Sequence, residues 1–279
     1  MERIAITELK AMKRRGEQFA MLTAYDYQTA RVLDEAGLPI ILVGDSLGMV
    51  MLGYDSTIPV TMEDMLHHVK AVVRGTSRAH VVADMPFMSY QASAGEALHN
   101  AGRMLQEGGA QSVKLEGGST VAETVHRLVP AGVPVMGHVG LTPQSVHQLG
   151  GYKLQGKTPA AAVKLLSDVQ ALEQAGAYAV VLETIPSPLA KLITERVIVP
   201  TIGIGAGPHC DGQVQVVHDL LGLSQGILPR HARKYARLSD EISASVTSYM
   251  DDVRSGRFPT DKESFAMDES TLAELWHPA

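Results

Sequence analysis

Cysteine is almost absent from this chain of 279 residues, in which Cys210 is the single example. That scarcity excludes a disulfide framework within the chain and is typical of proteins that fold in a reducing compartment. The first 17 residues lack the apolar core of a signal peptide, and the sequence holds no uninterrupted apolar run of about 20 residues that could span a bilayer. We therefore predict a soluble, cytoplasmic protein without a membrane partner.

Clusters of positive charge are missing as well. The chain has 24 Lys and Arg against 30 Asp and Glu, a formal net charge of -6, and its basic residues are scattered. Proteins that bind nucleic acids need a basic patch to neutralise phosphates. The composition therefore predicts that nucleic acid is not a partner.

Short apolar runs rich in β-branched residues recur along the chain and alternate with helical patterns. Seven such runs cover residues 19–25, 39–44, 79–84, 110–116, 133–139, 177–183 and 197–205. Most are typical of buried parallel strands. Between two of them, residues 61–75 show helical spacing of apolar residues, with a capping box formed by Thr61 and Asp64. With the weak run 225–229 as an eighth strand, the pattern predicts an α/β fold, a (β/α)8 TIM barrel, which needs about 250 residues.

No linker rich in Gly, Pro or Ser divides the sequence. Residues 1–279 are therefore predicted to form a single (β/α)8 barrel domain. The segment after about residue 256 is more polar and is predicted to be a C-terminal tail, docked on the barrel or on a neighbouring molecule.

Titratable residues follow five successive predicted strands. Asp45 follows the second, Asp84 ends the third, Lys114 and Glu116 end the fourth, His138 ends the fifth and Glu183 ends the sixth. In a barrel the carboxyl ends of the strands converge on one mouth, so these side chains are predicted to meet there. Each one alone also allows a structural interpretation, such as a helix cap, an interior ion pair or a buried histidine. Their joint occurrence favours a functional site.

The carboxylates in this pattern predict a metal site. Asp45, Asp84 and Glu116 supply oxygen ligands without any thiol, a set suited to Mg²⁺ rather than zinc. The adjacent His67 and His68 point about 100° apart on a helix and are interpreted as structural.

A glycine-rich stretch at residues 201–212 follows the seventh strand and is predicted to open a helix. A phosphate-binding loop is one interpretation. Gly203, Gly205 and Gly207 do not match the dinucleotide fingerprint, however. The alternative is that the glycines let a bulky ligand approach the backbone closely.

Seven motifs together resemble the ketopantoate hydroxymethyltransferase family. They are LTAYD (22–26), VGDSLGMVMLGYDST (43–57), ADMPFMSY (83–90), VKLEGG (113–118), MGHVGLTPQS (136–145), VLETIP (181–186) and IGIGAGPHCDGQV (202–214). The resemblance covers nearly the whole chain, and GDSLG and GHVGLTPQ are its most specific motifs. It implies a (β/α)8 enzyme of pantothenate synthesis that transfers a hydroxymethyl group from 5,10-methylenetetrahydrofolate to 3-methyl-2-oxobutanoate, giving 2-dehydropantoate.

The same resemblance implies roles for individual residues. Asp45 and Asp84 are expected to bind Mg²⁺ directly, with Glu116 supporting the metal, directly or through water. The oxo acid is expected to contact Asp45, Ser46, Asp84, Lys114 and His138. Glu183 is expected to be the general base, and the assembly is expected to be a homodecamer of two pentameric rings.

Two other functions stay open on the sequence. One is a magnesium-dependent lyase or mutase that acts on oxo acids of the phosphoenolpyruvate class, which would need a phosphate or nucleophile site. The other is a non-catalytic barrel that binds an oxo acid without turning it over. Proton exchange at C3 of the oxo acid separates a catalyst from a binder.

Overall fold

The computed structural model describes residues 3–224, 226 and 228–276. Eight parallel strands pair in sequence order, and the last closes onto the first. The strands are β1 Phe19–Thr23, β2 Ile40–Val43, β3 His80–Asp84, β4 Ser112–Glu116, β5 Val135–Gly140, β6 Ala179–Glu183, β7 Thr201–Ile204 and β8 Gly212–Gln215. The predicted barrel is thereby confirmed.

Helices surround the strands. Among the described residues they are α1 Ile6–Arg15, α2 Tyr27–Glu35, α3 Leu47–Val50, α4 Met62–Gly75, α5 Ala94–Gln106, α6 Ala122–Leu128, α7 Val146–Leu149, α8 Pro159–Gln174, α9 Ser187–Arg196, α10 Val217–Leu221, α11 Leu238–Arg254 and α12 Glu269–Trp276. None of these helices is long and apolar enough to cross a membrane. The predicted capping box of α4 is confirmed, because Asp64 N–H donates to Thr61 Oγ1 at 3.1 Å and Thr61 N–H donates to the Asp64 carboxylate at 3.0 Å.

The eighth strand lies earlier in the chain than the sequence predicts. It is Gly212–Gln215, and the barrel closes through it rather than through the run 225–229, of which residues 225 and 227 lie outside the described part of the chain. Only alternate residues of β8 are buried, and Val214 is its one large apolar side chain. Two glutamines in four residues remove the apolar signature of a buried strand.

The glycine-rich stretch does not open a helix. Residues 205–211 connect β7 directly to β8, so that prediction is wrong. Gly205 and Gly207 have φ angles of 65° and 82°, which glycine adopts without strain. A Cβ at Gly207 would also clash with Ser187 Oγ. The glycines therefore allow the short loop that connects the neighbouring strands β7 and β8.

Helix α1 covers the end of the barrel opposite the carboxyl ends of the strands. Its Leu9 is fully buried against the inward-facing side chains of the strands, including Phe19, Met21 and Ile40. Lys13 Nζ fastens the helix by donating to the Thr194 carbonyl at 3.0 Å and to Asp211 Oδ2 at 2.9 Å. The remaining end of the barrel is therefore where polar side chains can collect.

The C-terminal helices lie on the surface. In α11 the side chains of Ile242, Val246, Tyr249 and Val253 follow helical spacing and are 53%, 50%, 56% and 47% exposed. After Gly256 the chain forms a 3-10 turn at Asp261–Glu263 and then α12, in which every described residue is exposed. The described residues of the single chain thus leave an apolar face of α11 uncovered.

Candidate active site

The strand ends bring the sequence-predicted residues to one cavity. Its volume is about 750 Å³, and it is lined by all seven of them, Asp45, Ser46, Asp84, Lys114, Glu116, His138 and Glu183. Strand register explains the gathering, since Asp84 pairs with Lys114, Glu116 with His138, and Gly140 with Glu183. Residues far apart in sequence therefore become neighbours around the mouth.

Asp45 and Asp84 are buried side by side. Their residue exposures are 4% and 2%, and the backbone N–H of Asp45 donates to Asp84 Oδ2 at 3.1 Å. Gly44 leaves room for this turn, because a Cβ there would lie 2.8 Å from Ser46 Oγ and 3.4 Å from Asp84 Oδ2. Ser46 follows at the edge of the cavity, with its hydroxyl 2.8 Å from Tyr25 OH.

Lys114 provides the buried positive charge of the site. Its Nζ lies 2.6 Å from Asp84 Oδ1, and both side chains are almost fully buried. Burial lowers the pKa of Lys114, but attraction from Asp84, Glu116 and Asp45 outweighs it, so the pKa is raised overall. The lysine therefore stays charged at neutral pH.

His138 lies between two carboxylates. Its Nε2 is 3.1 Å from Glu183 Oε2 and its Nδ1 is 3.4 Å from Glu116 Oε1, while Lys114 Nζ approaches Nδ1 at 3.3 Å. Burial and Lys114 lower the pKa of His138, yet interactions with Glu116 and Glu183 outweigh them and raise it to about 9. At neutral pH the imidazole is accordingly protonated in the metal-free protein.

This raised pKa predicts a pH-dependent stability. His138 titrates near 6.5 when unfolded and near 9 when folded, so its stabilising effect is complete below pH 6.5 and is lost as the pH rises through 9. We expect the free energy of unfolding of the metal-free protein to fall by on the order of 3 kcal/mol across this range. Urea titrations in EDTA measure it. His138→Gln should flatten the dependence, and an unchanged slope in that variant would contradict the assignment.

Two uncharged residues that the sequence interpretation missed contact the carboxylates. Gln144 donates from Nε2 to Asp45 Oδ2 at 2.8 Å and from its backbone N–H to Glu116 Oε2 at 3.0 Å. Tyr90 OH accepts from the backbone N–H of Glu116 at 3.1 Å and donates to Gln144 Oε1 at 2.7 Å. Both residues lie inside the family-like motifs ADMPFMSY and MGHVGLTPQS, which was the available signal.

The donor set fits a magnesium ion held by two aspartates. Among the described residues no group of three or more His, Cys, Asp and Glu side chains is arranged to bind a metal ion, so a three-carboxylate cluster is not preformed. Glu116 is engaged by Gln144 and His138. Asp84 Oδ1 has the Lys114 ammonium at 2.6 Å as its ionic partner, although no hydrogen bond to it has suitable geometry. Mg²⁺ commonly takes one or two protein carboxylates and fills its other positions with water or substrate.

The electrostatics of the aspartates agree with that fit. Burial raises the pKa of Asp45 well above its usual range, and repulsion from Asp84 and Glu116 adds to the increase. Burial likewise raises the pKa of Asp84, although Lys114 opposes it. A divalent cation held by these carboxylates would offset this excess of negative charge.

The other half of the cavity is formed by β8 and α10. Val214, Val216 and Leu223 supply apolar wall, and His218 and Asp219 supply polar groups. Asp219 is only 9% exposed. No described residue donates a hydrogen bond to its carboxylate.

Comparison with known proteins decides the family. Residues 3–261 match the family model described as ketopantoate hydroxymethyltransferase. The chain belongs to this family. It is 62% identical over 273 residues to the 3-methyl-2-oxobutanoate hydroxymethyltransferase of Dehalococcoides mccartyi, covering 98% of this chain and 97% of that one. It is 58% identical over 276 residues to the enzyme of the same name from Carboxydothermus hydrogenoformans, covering 99% and 100%.

Membership in the ketopantoate hydroxymethyltransferase family makes the chain a hydroxymethyltransferase, an enzyme of pantothenate synthesis, rather than a non-catalytic binder. Among solved structures, phosphonopyruvate hydrolase in complex with oxalate and Mg²⁺ aligns with a TM-score of 0.60 and 14% identity, covering 98% of each chain. That likeness shows the shared barrel fold.

Proposed function

We propose that this enzyme transfers a hydroxymethyl group from 5,10-methylenetetrahydrofolate to 3-methyl-2-oxobutanoate, giving 2-dehydropantoate and tetrahydrofolate. The observation that carries the proposal is that the cavity holds two separate groups of charged side chains. Two buried aspartates lie beside a buried lysine, while Glu183 stands apart and pairs only with His138 among the described residues. A cation site and a separate base are the two requirements for removing a proton next to an oxo group.

We assign the cation site to the aspartates. Asp45 and Asp84 would hold Mg²⁺ directly, and Glu116, whose oxygens already have partners, would support it through water. When bound, the ion supplies Lewis-acid polarisation of the oxo acid, an effect worth several kcal/mol.

We assign the anchoring of the oxo acid to Lys114, Ser46 and His138. Lys114 keeps its charge in the buried site and can balance the negative charge of the substrate. The Ser46 hydroxyl lines the cavity and is oriented by Tyr25, so it can hydrogen-bond to the carboxylate. His138 lies between these groups and Glu183 and can contact the same ligand.

Glu183 acts as the general base in this proposal. Its carboxylate accepts the proton from C3, the electrons of the C3–H bond move into the oxo acid as an enolate, and C3 then bonds to the methylene carbon of the donor. Both C–N bonds of that methylene break, one water supplies the hydroxyl group, and the second proton of that water together with the proton taken from C3 ends on the two folate nitrogens. A positioned base contributes roughly 10²- to 10⁴-fold in rate.

The half of the cavity formed by β8 and α10 is where we place the donor. A five-carbon oxo acid beside Asp84 fills only part of about 750 Å³, and the rest is walled by Val214, Val216 and Leu223. Such a wall suits the flat face of a pterin ring. The Asp219 carboxylate can accept the paired N–H groups on the edge of that ring.

Asp219→Asn should distinguish proton removal from the oxo acid, which it leaves intact, from use of the folate donor, which it impairs. Since the carboxylate lies on the donor side, we expect C3 proton exchange without folate to stay at the wild-type rate. The KM for 5,10-methylenetetrahydrofolate should rise about 10- to 100-fold, as for a lost hydrogen bond to a charged group. Steady-state kinetics measure it, with Asp240→Asn in the exposed α11 as the matched control. An unchanged donor KM would contradict this placement.

The decisive test of the function uses both substrates in turn. In deuterated water with Mg²⁺ and the oxo acid alone, proton NMR should show loss of the C3 signal. Adding 5,10-methylenetetrahydrofolate should then yield 2-dehydropantoate. Exchange without transfer would contradict the proposed donor, and binding of the oxo acid without exchange would contradict the proposed proton removal at C3.

We also propose a homo-oligomer, a homodecamer by resemblance to the family. The uncovered apolar face of α11, which includes Ile242, Val246 and Tyr249, supports burial against other copies of the chain. Multi-angle light scattering measures the assembly. The cytoplasmic location and the single domain with a tail after 256 stay predictions.

A further inference from the structure

Gln144 is held at the centre of the carboxylate cluster. It lies in the 3-10 turn Pro143–Ser145 that follows β5 and is 4% exposed. Its side-chain Nε2 donates to Asp45 Oδ2 at 2.8 Å and to the Met85 carbonyl at 2.9 Å. Its Oε1 accepts from Tyr90 OH at 2.7 Å and from Gln91 Nε2 at 3.2 Å. Every donor and acceptor position of the amide is therefore used.

These partners fix which way the amide faces. The carboxylate of Asp45 and the carbonyl of Met85 only accept hydrogen bonds, so nitrogen must face them. Tyr90 OH and Gln91 Nε2 both donate to the other side of the amide. Turning the amide over, or replacing it by a carboxylate, would bring oxygen against the Asp45 carboxylate in a buried site. Only an amide satisfies this position.

The amide also decides which oxygens remain for a ligand. It occupies Asp45 Oδ2, and no described residue donates to the other carboxylate oxygen of Asp45. The backbone N–H of Gln144 occupies Glu116 Oε2 at 3.0 Å. The contact with Met85 ties the same residue to the chain directly after Asp84. One residue thereby connects the ends of β2, β3, β4 and β5.

We propose that Gln144 is a positioning residue that orients Asp45 and Glu116 for binding of the divalent cation. The inference rests on the proposed function, because it takes the aspartates as the cation site. Groups that orient metal ligands typically contribute 10- to 100-fold in metal affinity. Without the amide the Asp45 carboxylate can rotate, and its second oxygen loses its partner in a buried environment.

Cation binding tests the role without any catalytic readout. Gln144→Met removes the amide at similar length, and Mn²⁺ binding to the metal-free enzyme is measured from the loss of the free-ion EPR signal, with and without the oxo acid. We expect Mn²⁺ to bind 10- to 100-fold more weakly. In Gln144→Glu we expect the ionised carboxylate to weaken Mn²⁺ binding further. Tighter Mn²⁺ binding would mean that the added carboxylate ligates the cation itself, and it would overturn the proposed orientation.

Gln111→Met is the matched control. Gln111 precedes β4 at the opposite end of the barrel and also makes several hydrogen bonds, accepting from Val81 N–H at 2.8 Å and donating to the Gly109 carbonyl at 2.7 Å. Both variants should lower the unfolding temperature, but only Gln144→Met should weaken Mn²⁺ binding.

The outcomes separate this inference from the proposed function. Wild-type affinity for Mn²⁺ in folded Gln144→Met overturns the role of Gln144 alone. If the wild-type enzyme binds no Mn²⁺, the cation site in the proposed function fails and the inference fails with it. Equal weakening in Gln111→Met would show that loss of stability, not orientation, causes the change.

Discussion

Replacing Glu183 by glutamine should abolish deuterium incorporation at C3 of 3-methyl-2-oxobutanoate. The amide keeps the shape of the side chain but cannot accept the proton, so we expect the exchange rate to fall by roughly 10²- to 10⁴-fold. Glu183 makes no ion pair with Lys114 and contacts His138 alone among the described charged residues. Cation and oxo-acid binding should therefore persist in the variant.

Proton NMR in deuterated water follows this exchange, and calorimetry follows binding of the oxo acid with Mg²⁺. Glu195→Gln is the control, since that glutamate lies on α9 with its side chain 61% exposed. Exchange at the native rate in Glu183→Gln would show that another group is the base. Loss of binding would instead indicate that Glu183 helps to hold the substrate.

Asp84→Ala should lose cation binding and exchange together. The change removes one of the two direct cation ligands and leaves the Lys114 ammonium without its closest partner at 2.6 Å. Breaking a buried ion pair on one side typically costs about 3–5 kcal/mol of stability. The backbone N–H of Asp45 loses its acceptor as well.

A second variant separates the loss of binding from the loss of folding. Asp84→Asn keeps the volume and an oxygen that can accept from Asp45 N–H, so it should fold better than Asp84→Ala. Circular dichroism measures folding and Mn²⁺ EPR measures the affinity in both variants. Folded Asp84→Asn with wild-type affinity for Mn²⁺ would remove Asp84 from the cation site.

The barrel and the charged half of the site could be predicted because one rule connects them to the sequence. Buried parallel strands appear as apolar runs, and titratable residues at the ends of five successive runs mark the mouth. Asp84, Lys114 and Glu116 could therefore be identified as site residues from the sequence alone. The register pairs Asp84 with Lys114 and Glu116 with His138, as adjacent strands of a barrel require.

The remainder depends on contacts that no local pattern encodes. Strand β8 is short and contains Gln213 and Gln215, so it lacks the apolar run that marks the other strands. The loop 205–211 replaces a helix because glycine allows a tight return between β7 and β8. Gln144 and Tyr90 carry no charge, and their importance comes from partners that are distant in sequence.

Helix α1 has a consequence for inhibitor design. Because Leu9 and its neighbours fill the far end of the barrel, the described part of the chain leaves no passage through the barrel interior to the aspartates. Ligands must enter and leave from the same side. A compound that joins a chelating head group to a flat heterocycle could thus engage both portions of the cavity at once and obstruct entry and exit together.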